Sequence, residues 1–414
     1  MRQTPGTQAA GRLAVNALIA IRAGSTTDLL AAIEQAWAGG DAVLPMATDA
    51  PDAAVADVVR RVHPAAFARP HLDPAIGSRV HGLKVHHLPD PVELPQGTAL
   101  VVMTSGSTGP ARPVVLSRAA LDASVHASVA RLGCAPGAPW LVCLPAHHVA
   151  GITAAMRSRQ LGVAPIVHDR FDPDTIRSLL ETTRPWVSLV PTQLARLLDA
   201  GVAVDRFAGV LLGGAAASSA LLDRARATGA RIVRSYGMTE TCGGCVYDGL
   251  PLPGVEVRAG SDGRLAVRGD VLLTGHLEDG TLTAAVDDDG WFVTNDRGNV
   301  DDNGLVEVRG RADDIIVSGG ENVPASTVAT RLEQHPGVAA AAVIGRPDPQ
   351  WGEVVVAVIE AATTPPPTLA ELRDHVAATQ PRAWAPREVL VVDRLPRTAL
   401  GKHDRQGIKA LLEP

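Results

Sequence analysis

Four stretches of this 414-residue chain concentrate residue types that do chemistry. In the first, an apolar run at residues 99–102 gives way to Met103-Thr104-Ser105-Gly106-Ser107-Thr108-Gly109-Pro110. Backbone N–H groups and small hydroxyls in such a loop suit a polyphosphate. No Lys-Ser/Thr pair closes a G-x-x-x-x-G spacing, so it is not a Walker loop. Taken by itself it is equally well a flexible surface loop. The second stretch, Ser235-Tyr236-Gly237-Met238-Thr239-Glu240-Thr241, follows a predicted strand. Tyr236 offers a face for a base, Thr239 a hydroxyl for a phosphate oxygen, and Glu240 a carboxylate for Mg²⁺. The plain reading is a solvated turn.

The third is split between Thr294-Asn295-Asp296 and Gly310-Arg311-Ala312-Asp313-Asp314. A carboxylate can accept both hydroxyls of a ribose while an arginine holds the other side; a polar turn and a surface ion pair are the bland version. The fourth is Leu395-Pro396-Arg397-Thr398-Ala399-Leu400-Gly401-Lys402. Only three of the 38 basic residues are lysines: Lys84, Lys402 and Lys409. An ammonium on a flexible stem suits neutralising charge that develops between a carboxylate and a phosphate. For Lys409 a solvated tail position suffices.

The pattern that must position these residues is strand, loop, helix, repeated from about 98 to 240. Strands are predicted at 99–103, 140–144, 164–168, 186–190, 209–213 and 231–235. Helices are predicted to start near Ser117, Gly151, Asp172, Thr192 and Ser218, at capping residue types or Gly. Earlier, 28–37 and 51–62 read as helices and 42–46 as a strand. Alternating short apolar runs and helices give a mostly parallel sheet, with ligands at the carboxyl ends of its strands. Three polar, Gly-rich loops fall at those ends: 104–110, 213–215 and 236–241. Residues 251–310 change to short segments broken by Gly and Asp, a small antiparallel or β-barrel-like unit. After Arg311 a helix (324–334), two pairing strands (338–344, 353–360), a helix (368–379) and a last strand (389–392) make a small α+β domain. The fold class is therefore α/β, with an N-terminal domain at 1–310, a C-terminal domain at 311–414 and a link near 311–314.

Composition excludes several function classes. The formal net charge of −6 and pI of about 6.1 give no electrostatic case for nucleic acid or a membrane surface. Residues 1–24 hold no apolar run long enough for a signal peptide or span. The expectation is a soluble, cytoplasmic protein. Four cysteines do not make a disulfide framework. Cys242 and Cys245 form a C-x-x-C with no second pair nearby, which reads as packing. His81, His86 and His87 carry no metal spacing.

Taken together, the motifs resemble the adenylate-forming acyl- and aryl-CoA ligase superfamily, over about residues 98–405. Five match in order: Thr104–Gly109, Gly213–Ala215, Ser235–Thr241, Thr294–Asp296 with Gly310–Asp314, and Pro396–Lys402. The resemblance implies a site for ATP. Thr104, Ser105, Gly106, Ser107, Thr108 and Gly109 would cradle its β and γ phosphates. Gly213, Gly214 and Ala215 would line the adenine, with Tyr236 stacked on it beside Gly237. Thr239 would bind the α-phosphate, Glu240 would hold Mg²⁺, and Asp296 and Arg311 would take the ribose. Lys402 would catalyse adenylation from a mobile C-terminal domain turning about Asp313. Gly319 and Gly320 would then line a tunnel for CoA. One departure concerns the phosphate loop, which usually continues Lys-Pro-Lys; here it runs Pro110-Ala111-Arg112-Pro113. Arg112 can substitute for one lysine only.

Within the superfamily, Pro145-Ala146-His147-His148-Val149-Ala150-Gly151 looks like that of the o-succinylbenzoate–CoA ligases of menaquinone biosynthesis, and so does 241–248. His148 would lie at the edge of the acyl pocket together with Gly214. Arg157, nine residues on, would take the aromatic carboxylate. That acid carries two carboxylates and only the aliphatic one is activated, so the spectator needs a bidentate cation. As surface charges, Arg157 and Arg159 would mean nothing. The expected partners are o-succinylbenzoate, ATP and CoA, with no nucleic acid and no membrane insertion, and with room for a homodimer. Other readings are a ligase for another aryl or acyl acid, an adenylation enzyme loading a carrier protein, or a non-catalytic nucleotide-binding relative.

Overall fold

The computed structural model describes residues 16–70, 79–80, 83–104, 112–397 and 403–412. Two large sheets enclose a layer of helices. The first has nine strands, in the order Thr281–Thr283, Gly275–Glu278, Arg112–Ser117, Thr98–Thr104, Ala42–Pro45, Leu18–Ile21, Ala66–Pro70, Leu83–His87 and Arg79–Val80. Its centre is parallel and both flanks are antiparallel. The second runs Leu250–Pro251, Gly243–Tyr247, Ile232–Met238, Gly209–Leu212, Trp186–Leu189, Trp140–Val142, Ile166–Val167. All of its pairings from Ile232–Met238 onward along that order are parallel. Trp186–Leu189 and Gly209–Leu212 are buried throughout, as strands covered on both faces must be.

Helices Arg118–Leu132 and Val149–Gln160 share one apolar core with both sheets. Nine of the twelve residues of Val149–Gln160 are buried, so it has no solvent face to make it amphipathic. Several helices start where the sequence offers a cap: the side chains of Ser25, Ser117, Asp172, Ser218 and Thr368 each accept an N–H from the first turn. Each cap contributes about 1 kcal/mol. Helix Val149–Gln160 has no side-chain cap, and its start is fixed by close approach instead. A Cβ on Gly151 would lie 2.5 Å from the Pro145 carbonyl oxygen and 2.8 Å from that of Leu144.

The segment after 251 takes the antiparallel form: Val255–Ala259, Arg264–Gly269, Phe292–Val300 and Val306–Arg311 make a four-stranded sheet. Its inserted hairpin, Gly275–Glu278 with Thr281–Thr283, leaves that unit and extends the first sheet. From Ile315 on, a five-stranded sheet carries its own cores, drawn only from residues 316 onward. The long strands Val338–Asp348 and Gly352–Ala361 pair antiparallel as expected.

Three local differences from the sequence reading bear on the site. Residues 112–117 form a strand despite Pro113, which the loop reading had passed over. The ladder to Gly275–Glu278 stops at Val114, so the missing N–H of Pro113 breaks no bond there. Residues 236–238 and 294–296 lie in strands, not turns, because hairpin partners continue past the apolar part of each.

Candidate functional site

The carboxyl ends of the second sheet bring the central motifs together. Gly213 follows Gly209–Leu212, and a Cβ there would press on the Ser235 carbonyl at 3.2 Å. Gly214 is left-handed, with φ 81°. The Gly213-Gly214-Ala215 backbone thus lies beside the strand that carries Tyr236. That strand pairs with Gly243–Tyr247 through a bulge at Tyr236/Gly237. The crossing is glycine-tight: a Cβ on Gly237 would lie 2.0 Å from the Gly243 carbonyl oxygen.

Tyr236, Asp296 and Arg311 meet although sequence separates them widely. Tyr236 donates its hydroxyl to Asp296 Oδ2 at 2.9 Å, and Arg311 Nη1 lies 3.6 Å from Asp296 Oδ1. Asp296 and Arg311 are direct neighbours in the antiparallel pair, and the Thr294 hydroxyl accepts the Asp296 N–H. Burial, reinforced by the Asp296 charge, pushes the Tyr236 phenol far above its ordinary value. Tyr236 therefore stays neutral, with its hydroxyl a donor to Asp296.

Thr239 and Glu240 sit in the short 3₁₀ turn Thr239–Thr241, closed by the Met238 N–H donating to Thr241 Oγ1. The Leu273 N–H donates to the Glu240 backbone carbonyl; among the described residues no hydrogen bond engages the Glu240 carboxylate. From the first sheet, Thr104 Oγ1 donates to the Arg112 carbonyl at 3.0 Å. Ser105, Gly106, Ser107, Thr108 and Gly109 lie outside the described residues. Arg112 reaches Glu278 at 4.0 Å on the surface. His276, not singled out by the sequence, lies on the strand beside Arg112–Ser117. Burial lowers its pKa, and the Glu240 and Arg112 charges act on it in opposite directions.

The helix Val149–Gln160 carries the other set. His148 occupies its N-cap position, with its ring 4.1 Å from that of His147. Arg159 and Arg157 part company. Arg159 makes a bidentate, exposed pair with Glu34, the plain surface reading. Arg157 is 2 % exposed. Its Nε donates to Ser128 Oγ at 2.8 Å, and its guanidinium lies 4.9 Å from the Trp140 ring. Ser128 Oγ is 2.7 Å from the Tyr247 hydroxyl. Among the described residues no carboxylate pairs with Arg157. Sequence reasoning passed over Ser128 and gave Tyr247, within 241–248, no role of its own. Two signals were available. Ser124 and Ser128 stand at i, i+4 on a helix face marked as buried by Leu121, Val125 and Leu132. Tyr247 is one of only two tyrosines in the chain, the other being Tyr236.

Cys242 and Cys245 are fully buried and act as packing residues; burial pushes the Cys245 thiol up to about 12. Among the described residues no group of three potential ligands could hold a metal ion, and no helix is long and apolar enough to cross a membrane. Asp313 lies in the 3₁₀ turn Ala312–Asp314. Its neighbour Asp314 pairs with Arg405, three residues beyond Lys402, which itself lies outside the described residues. Gly319 (φ 61°) and Gly320 (φ 85°) form the turn after Ile315–Ser318, and a Cβ on Gly319 would strike the Trp351 ring at 2.8 Å.

Residues 15–279 match the AMP-binding enzyme family and residues 328–402 its C-terminal domain. A probable 2-succinylbenzoate–CoA ligase of Mycobacterium tuberculosis is 42% identical over 329 residues, covering 76% of this chain and 85% of its own. The 2-succinylbenzoate–CoA ligase of Bacillus subtilis is 31% identical over 75% of this chain and 68% of its own. Among solved structures, Escherichia coli MenE with a bound analogue of OSB-AMS superposes with a TM-score of 0.77 at 27% identity, covering 96% of this chain and 88% of that one. MatB from Rhodopseudomonas palustris with bound ATP reaches 0.84 at 22% identity, covering 96% and 89%, a likeness of fold.

Proposed function

We propose, because the chain belongs to the AMP-binding enzyme family, that it is an AMP-forming acid–thiol ligase joining o-succinylbenzoate to CoA at the expense of ATP. The observation that carries the choice of acid is Arg157. A buried guanidinium whose described partners are a neutral hydroxyl and an indole face is costly without a counter-charge. A substrate with a spectator carboxylate supplies that charge, and the relatives named for 2-succinylbenzoate support it.

In this reading Thr104 to Gly109 hold the β and γ phosphates, Gly213 to Ala215 with Tyr236 the adenine, and Asp296 with Arg311 the ribose. His148 and Gly214 border the acyl group. The Glu240 carboxylate, which accepts no hydrogen bond among the described residues, suits Mg²⁺, which binds through one or two carboxylates plus substrate phosphates and not through a protein cage. That ion would supply charge neutralisation at the triphosphate. Thr239 orients the α-phosphate. The aliphatic carboxylate attacks the α-phosphorus, the bond to pyrophosphate breaks, and Lys402 offsets the charge that develops. The CoA thiol then displaces AMP from the acyl-adenylate after residues 311–414 turn about Asp313, which withdraws Lys402 and brings Gly319 and Gly320 to the thiol's path. No covalent enzyme intermediate is needed. The same reading expects a cytoplasmic enzyme and leaves a homodimer open to sedimentation analysis.

Acid-dependent pyrophosphate release tests the first half. o-Succinylbenzoate should start it and ATP alone should not. Release without any acid, or none with it, contradicts the assignment.

A further inference from the structure

We propose that Ser128 and Tyr247 are positioning residues that aim Arg157 at the second carboxylate of the acid, and so set the preference for a keto diacid over the matching monoacid. The proposal rests on the reading of Arg157 given above.

A guanidinium is a rigid plane with five N–H donors. Two contacts fix that plane here. The Ser128 hydroxyl takes the Nε–H at 2.8 Å, and the Trp140 ring lies against the guanidinium at 4.9 Å. Among the described residues nothing accepts from Nη1 or Nη2. That pair of donors is the edge that matches a carboxylate in a two-bond fork. Ser128 is itself held by the Tyr247 hydroxyl at 2.7 Å, and either hydroxyl can donate in that bond. All three residues are at most 2 % exposed, so water cannot replace a lost partner.

Further buried hydroxyls lie between Arg157 and the Tyr236–Gly243 hairpin. Thr153 stands one turn before Arg157 on the same helix face, and its hydroxyl is 3.8 Å from where a Cβ on Gly243 would be. Ser124, one turn before Ser128, donates to the Cys242 carbonyl at 3.2 Å. Thr153 and Ser124 thus stand between the Tyr236–Gly243 hairpin and the Arg157–Ser128 pair. The hairpin end carries the residues assigned to the nucleotide. The Arg157 end is where the far carboxylate of a bound acyl-adenylate would lie.

The test compares two acids with the full-length protein, ATP and CoA: o-succinylbenzoate and 4-oxo-4-phenylbutanoate, which has the same aliphatic arm without the ring carboxylate. The wild type should prefer the diacid. Ser128→Ala should raise the KM for the diacid about tenfold while the KM values for the monoacid and ATP move far less, as loss of a buried charged hydrogen bond implies. Tyr247→Phe should move it the same way by roughly threefold, and Ser128→Thr, which keeps the hydroxyl, should restore the preference. If Ser128→Ala and Tyr247→Phe keep the wild-type preference while Arg157→Ala loses it, the positioning role is wrong and the reading of Arg157 stands. If the wild type handles both acids equally, the reading of Arg157 itself falls. Should Ser128→Ala not fold, Tyr247→Phe decides alone, an unchanged preference contradicting the proposal.

Discussion

Tyr236 and Asp296 are joined by a 2.9 Å hydrogen bond across 60 residues of sequence. The bond links the end of a strand in the parallel sheet to the antiparallel sheet that follows it. It also occupies one oxygen of a carboxylate whose other oxygen faces Arg311. The Tyr236 ring and the Asp296 carboxylate, proposed above for the adenine and the ribose, are thereby held as one unit.

Removing the link should affect ATP before it affects the acid. Tyr236→Phe keeps the ring and loses the donor, and a hydrogen bond to a half-buried carboxylate is worth roughly tenfold in binding. The expected result is a higher KM for ATP, with the KM for the acid within twofold. Equal increases for both substrates in steady-state kinetics would show that the bond serves folding and not the nucleotide.

Arg157→Ala should act on the other substrate. It should raise the KM for o-succinylbenzoate or lower kcat with that acid, leaving the KM for ATP near its starting value. Because the residue is buried, the melting temperature of the variant must be measured alongside. Unchanged kinetics for the acid would exclude Arg157 from its binding.

Lys402→Ala should split the two half-reactions. Adenylation should fall by about a hundredfold or more, on the scale of a lost charge-stabilising group. Thioester formation from a supplied acyl-adenylate should continue. Equal loss in both halves would remove the lysine from its assigned step.

The glycine crossing at Gly237 should be a stability determinant. A Cβ there meets the Gly243 carbonyl oxygen at 2.0 Å, and backbone cannot retreat as a side chain can. Gly237→Ala should cost roughly 2 kcal/mol, read as a lower urea midpoint. A midpoint equal to wild type would mean that the hairpin re-registers freely.

Acid should destabilise the fold early. Burial is the leading cause that lowers the pKa of His147, His168, His375 and His403 below 6.5. The folded state thus keeps these rings neutral while the unfolded chain binds protons, so their contribution is present above pH 6.5 and lost as pH falls. Asp41 and Glu333, raised by burial, act in the opposite sense nearer 3.8 and 4.5. The melting temperature should drop between pH 7.5 and 6. A rise over that window would contradict the sign.

Much of this was legible because it is local. Capping residues marked helix starts, and apolar runs marked the strands that carry Gly213 and Tyr236. What escaped was non-local. The strand 112–117 was not predicted, and the position at which the neighbouring ladder stops makes Pro113 acceptable in it. The departure of Gly275–Glu278 to the first sheet brings His276 near Glu240, and nothing in its own sequence announces that. Asp296 and Arg311 were found as motifs, but their cross-strand pairing needed the hairpin's bulged register. Ser128 and Tyr247 were overlooked because a serine in a helix and a tyrosine in a strand are ordinary until the buried charge beside them is seen.

The central claim is that this chain makes a CoA thioester of o-succinylbenzoate. Incubating the purified protein with ATP, Mg²⁺, CoA and a panel of aryl and acyl acids, and weighing the products by mass spectrometry, tests it most directly. The account predicts o-succinylbenzoyl-CoA with stoichiometric AMP, in preference to every monocarboxylic acid offered. A thioester of a different acid, with none from o-succinylbenzoate, would contradict it.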